Sequence, residues 1–124
     1  MLETNATYWR AAENLVNAWS NYQAKKKLYI NATHNETRHK VWKVVMDNYD
    51  GDVRKLKYHE ERLSIEVDDY LERFEMACGY LGIESVSRDW LYRNLRNAKE
   101  YDSLRQKCRR RLNSKKPAQS LKEI

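Results

Sequence analysis

Chain breakers are scarce: one Pro and three Gly stand in 124 residues. A β-sandwich or barrel needs turn formers at most of its reversals, so composition argues against an all-β fold. Long apolar runs are missing too. No stretch approaches the ~20 apolar residues of a membrane-spanning helix, and Met1-Leu2-Glu3-Thr4-Asn5 lacks the pattern of a signal peptide. The expectation is a cytoplasmic protein with no membrane role. Cysteine is limited to Cys78 and Cys108. Both fall on apolar helical seams, where a thiol behaves as a small hydrophobe, and a reducing compartment argues against a disulfide. The Asn-x-Thr triplets at Asn5, Asn31 and Asn35 are glycosylation acceptors only in a secreted protein, so they read as helix-end chemistry.

Material for a core is plentiful. Hydrophobic residues make up 41% and charged residues 34% of the chain, with four Trp and nine Tyr, which excludes disorder over most of its length. The clearest periodicity lies in residues 62–83, where Leu63, Val67, Tyr70, Leu71, Phe74, Ala77, Cys78 and Leu81 recur at helical spacing. At about 100° per residue they sweep an arc of roughly 120°. Gly82 is placed to end this helix in a left-handed conformation, with Ile83 folding back on the last turn. Ile65 and Met76 fall on the opposite side of the wheel, and Trp9 flanks the stripe of the first helix, which points to a second contact such as a homodimer or a partner patch.

Taken in order, a first helix is expected over residues 5–29, with Tyr8, Ala12, Leu15, Val16, Trp19 and Tyr22 on one stripe. Thr33-His34-Asn35-Glu36 matches a capping box, with Thr33 as N-cap of a second helix reaching Tyr49. Asp50-Gly51-Asp52 is the strongest turn signal. Residues 53–61 extend the central stripe through Val53 and Leu56 but are otherwise charged, so a break or kink is expected near 58–64. Ser85 and Ser87 are N-cap candidates for a short helix to about Asn97. A last helix reaches Leu112, joined to the short one as one bent helix or separate from it. The expected fold is all-α, a single compact bundle of four to five helices over residues 1–113, with a flexible basic tail over 114–124. Trp19, Trp42, Phe74, Trp90 and Leu104 are expected in its core.

Catalytic signatures are absent. His34, His39 and His59 share no helical face, and His59-Glu60-Glu61 is not the His-Glu-x-x-His of a zinc site. There is no Ser-His-Asp or Cys-His order, no Gly-rich phosphate loop and no dinucleotide fingerprint. No catalytic, cofactor-binding or metal-ligating residue is assigned, and the chain reads as a non-enzyme. Charge carries more information. Residues 84–124 hold twelve Lys and Arg against five Asp and Glu, whereas residues 1–83 hold twelve against thirteen, so the net charge of +6 comes entirely from the C-terminal third.

The run Tyr70-Leu71-Glu72-Arg73-Phe74-Glu75-Met76-Ala77-Cys78-Gly79-Tyr80-Leu81-Gly82-Ile83 resembles the core helix of a family of uncharacterised small helical domains from bacteria and their phages. In that family a Leu-x-x-Phe-Glu stretch and small residues precede a Gly-Ile turn. A short helix and a basic helix ending in Arg follow, as Trp90 to Arg111 do here. The likeness covers residues 65–112. It implies a prokaryotic or phage origin and a compact helical fold, and it brings no activity with it. Relatives with an N-terminal membrane anchor differ from this chain, so a membrane role does not carry over.

The functional expectation is a non-enzymatic interaction protein that binds and modulates another macromolecule, such as an inhibitor of a host or defence protein. Two faces of opposite charge would steer and orient a protein partner. The acidic one centres on Glu66, Asp69 and Glu72 and suits a basic groove. The basic one centres on Arg105, Arg109 and Arg110 and suits an acidic partner. The alternative is direct nucleic-acid binding through the basic C-terminal helix, whose affinity would fall steeply with salt.

Overall fold

Scarcity of Gly and Pro lets helices run long. The computed structural model describes residues 2–124, with side chains from Thr4 onward. The elements are α1 (Leu2–Thr33), α2 (Arg38–Tyr49), α3 (Val53–Leu81), α4 (Arg88–Asn94) and α5 (Ala98–Asn113), then a 3-10 turn over Leu121–Glu123. No strand occurs among the described residues, so the fold is all-α with five helices.

The ends of α2 and α3 follow local chemistry. Asp50 (φ 55°) and Gly51 (φ 70°) both enter the left-handed region, and their amides reach the Val45 carbonyl. A side chain at Gly51 would also meet Met46 Sδ at 2.7 Å. Asp52 then accepts the Arg54 amide at 2.9 Å, and hydrogen bonds from Arg54 hold its carboxyl below the ordinary range. Gly82 (φ 64°) ends α3 as expected, with Ile83 N–H donating to the Cys78 carbonyl at 3.0 Å.

Several expectations need correction. The break near 58–64 is absent, because α3 runs unbroken from Val53 to Leu81. Leu56 and Val67 are fully buried and Glu60 is nearly so, paired with Lys57 at 2.7 Å; the charged segment is therefore anchored at helical intervals. Thr33 caps nothing. It lies in the last turn of α1, where its hydroxyl donates to the Tyr29 and Ile30 carbonyls at 2.9 and 3.1 Å. Burial of Ala32 against Val45, Tyr49 and Leu56 keeps the chain helical that far. Residues 114–124 do not hang free as a tail: Ser120 and Leu121 are buried, and Lys122 pairs with Glu84 at 2.7 Å.

The chain divides into two compact units, Met1–Ser20 with Val67–Ile124, and Asn21–Glu66. The helices α1 and α3, of 32 and 29 residues, each contribute to both units. In the second unit Ala32, Val45, Tyr49 and Leu56 form the core, flanked by Leu28, Tyr29, Val41, Trp42 and Val53. Trp42 is only half-buried there, its ring covered by the Arg38 guanidinium at 4.2 Å. In the first unit Tyr8, Trp9, Leu15, Val16, Trp19 and Phe74 are fully buried, and Leu104 is buried. Trp9 is thus a core residue, not the flank of a contact. Trp90 is half-buried.

Phe74 packs against Tyr8 with the rings tilted by 39° and their centroids 5.2 Å apart. Phe74→Ala is therefore expected to cost about 3–5 kcal/mol, read from urea unfolding; a loss below about 1 kcal/mol would show that this ring is not central.

Cys78 and Cys108 are free, buried thiols. Burial, with Glu13 nearby, pushes the Cys108 thiol from its ordinary 9.0 up to about 12, and burial likewise raises Cys78 and the Tyr8 phenol. In the unfolded chain these groups lose their protons first. The contribution of Cys108 is therefore complete below pH about 9 and is lost as pH rises towards about 12, at up to about 1.4 kcal/mol per pH unit, and Cys78 and Tyr8 act in the same direction. Urea midpoints measured from pH ~8 to ~11 should fall, and Cys108→Ala should show a shallower fall. Equal slopes in both proteins would contradict this.

Candidate functional site

Basic residues of the C-terminal third are positioned by two well-capped helices. Ser87 Oγ accepts the Trp90 amide at 3.1 Å and starts α4. Leu95 ends α4, and its carbonyl accepts the buried Trp19 indole N–H at 2.8 Å. Asn97 then caps α5, its Oδ1 accepting the Glu100 amide at 3.0 Å, while Glu100 accepts the Arg96 amide at 3.1 Å. Hydrogen bonds from the Arg96 guanidinium, and then from its amide, hold the Glu100 carboxyl below its ordinary value. The short helix and the last helix are therefore separate, divided by an N-cap.

The arginines singled out by sequence meet different surroundings. Arg105 turns back on Asp102 at 2.6 Å. Its Nε is buried without a hydrogen-bond partner among the described residues. Arg109 reaches across to Glu13 of α1 with bonds of 2.6 and 3.1 Å. Arg110 is exposed in the last turn of α5. Two of the three thus carry an ion pair within the chain, the Arg109 guanidinium staying largely exposed beside Glu13, and Arg110 is exposed as well.

The acidic residues fare differently. Asp69 and Glu72 are exposed on α3, and Asp68 beside them is held by Arg88 at 2.6 Å. Met76 and Tyr80 follow at helical spacing on the same face, 58% and 80% exposed. Glu66 is exposed as well and is the last residue of the other unit, next to the exposed Ile65.

A feature that sequence did not reveal is a cleft of about 530 Å³ walled by α4, α5 and the C-terminal segment. Its cationic lining is Arg96, Lys99, Lys107 and Lys122. Leu95, Leu104 and Leu121 line it but are themselves buried, and half-buried Trp90 and exposed Ser103 complete the part that matters chemically. Lys122 arrives from a segment whose composition reads as a free tail, so no local signal placed it there. The C-terminal charge excess was the one available pointer.

His34, His39 and His59 are exposed, and His59 sits against Tyr49 and Tyr58. Among the described residues no group of three or more His, Cys, Asp or Glu is placed to hold a metal ion. No described helix is long and apolar enough to cross a membrane. Comparison of the chain with protein-family models, with curated proteins and with solved structures gives no match.

Proposed function

We propose that the protein is a non-enzymatic, cytoplasmic interaction module of bacterial or phage origin, which binds a protein partner through the acidic face of α3. The origin rests on the likeness of residues 65–112 to small bacterial and phage helical domains. The observation that carries the binding reading is the pairing of Met76 and Tyr80, large side chains 58% and 80% exposed, with Asp69 and Glu72 on the same helical face. Exposed aromatic and Met side chains are enriched at interfaces, where one or two of them supply most of the binding energy. Neighbouring carboxylates fix orientation and raise the association rate towards a basic surface. The partner is therefore a protein with a basic groove, including one that otherwise holds nucleic acid, and blocking such a groove would make this chain its inhibitor. Arg109 and Arg105 engage carboxylates within the chain, which weighs against a basic-helix contact built on them.

The test is affinity capture from a lysate of the source organism, comparing wild type with Met76→Ala/Tyr80→Ala and with Asp69→Lys/Glu72→Lys. A basic protein retained by wild type and lost by both variants, at unchanged circular dichroism, is the expected result. Light scattering at micromolar concentration should read a monomer. A dimer abolished by Met76→Ala/Tyr80→Ala would assign the face to a second copy instead, and capture unaffected by either variant would overturn the proposal.

A further inference from the structure

We propose that the cleft between α4, α5 and the C-terminal 3-10 turn binds single-stranded nucleic acid, with Lys99 and Lys107 on phosphates and Trp90 against a base. This site is separate from the acidic face of α3 and does not depend on it.

Charge is the first argument. The lining carries Arg96, Lys99, Lys107 and Lys122, and Glu100 is the one acidic side chain among its described residues. Glu100 is taken by Arg96 at 3.2 Å, and Lys122 is partnered by Glu84 at 2.7 Å. Lys99 and Lys107 are exposed and pair with no carboxylate among the described side chains. Two lysines of the cleft thus stand outside the ion pairs of the described side chains.

Their spacing is the second. Lys99, Ser103 and Lys107 follow at i, i+4 and i+8 on α5, all on the cleft wall. Each step rises about 6 Å along the helix, so two ammonium groups with a hydroxyl between them form a track suited to a chain of phosphates rather than to one isolated anion. The third argument is the remaining surface. Half-buried Trp90 gives the same cleft aromatic material, which a phosphate alone would leave unused, while the lining residues Leu95, Leu104 and Leu121 are themselves buried. A positive groove combined with an aromatic side chain for stacking is how single strands are held without sequence preference. A base must be unstacked to meet Trp90, and this disfavours a duplex. At about 530 Å³ the cleft lies within the ~300–1,000 Å³ range of ordinary ligand sites, enough for a short stretch of strand.

Fluorescence polarisation with labelled DNA and RNA strands of about ten nucleotides, and with a duplex, at salt of ~50 and ~200 mM, tests this. Single strands should bind more tightly than duplex. Lys99→Gln/Lys107→Gln should weaken binding about tenfold or more and reduce the slope of log affinity on log salt by about 1.4, at ~0.7 for each phosphate that is no longer neutralised. Trp90→Leu should weaken binding with the slope unchanged. Lys40→Gln/Lys43→Gln removes the same charge from α2 and should stay within about twofold of wild type. Circular dichroism confirms folding, and Lys107→Gln alone repeats the test with a slope change of about 0.7. Equal losses in the α5 and α2 variants, duplex binding as tight as single-strand binding, or no single-strand binding at low salt would each overturn the proposal.

Discussion

Three aromatic donors on α1 organise the larger unit. Trp19 gives its indole N–H to the Leu95 carbonyl at 2.8 Å, Trp9 gives its own to the Lys116 carbonyl at 3.2 Å, and the Tyr8 hydroxyl donates to the Gln119 carbonyl at 2.6 Å. All three rings are buried, and a buried donor left without a partner costs about 1–3 kcal/mol. The backbone at residues 95, 116 and 119 is therefore held where these donors are. The first bond fixes the junction of α4 and α5, and the other two draw the C-terminal segment against the start of α1. Asn5 adds a fourth tie by accepting the Ala118 amide at 3.1 Å. The cleft bearing Lys99, Lys107 and Lys122 follows from this arrangement, since its walls are the elements so tied.

Electrostatics is then divided by what each charge meets. On α5 Arg105 and Arg109 form ion pairs within the chain, which contribute little stability individually when exposed. The lysines one or two turns away on the same helix face a cleft with few carboxylates. On α3 the outward carboxylates Asp69 and Glu72 remain exposed beside Met76 and Tyr80. Opposite charge is thus presented by different elements of one unit, which lets two kinds of contact coexist.

Much of the architecture was legible locally. Phe74 and its apolar neighbours, Gly82 as helix terminator and Asp50-Gly51-Asp52 as turn each act through residues a few positions apart, and the all-α class follows from the same features. What local reading missed depends on distant partners. Thr33-His34-Asn35-Glu36 has the form of a capping box, yet burial of Ala32 prolongs α1 through Thr33. Lys57, His59, Glu60 and Glu61 looked like a break, but the buried Leu56 and Glu60 carry α3 across them. Residues 114–124 have the composition of a tail, and only the donors Tyr8 and Trp9, more than a hundred positions earlier, reveal that they are bound. The same distance hid Lys122 from the basic surface and hid the pairing of Arg109 with Glu13.

Hydrogen exchange at the Ala118 amide tests the organising role of these donors most directly. In the wild-type protein this amide should be strongly protected, and in Tyr8→Phe/Trp9→Phe it should exchange much faster while amides in the middle of α3 keep their protection. An Ala118 amide that exchanges at the open-chain rate in the wild type, or that is unaffected by the double substitution, would contradict the account.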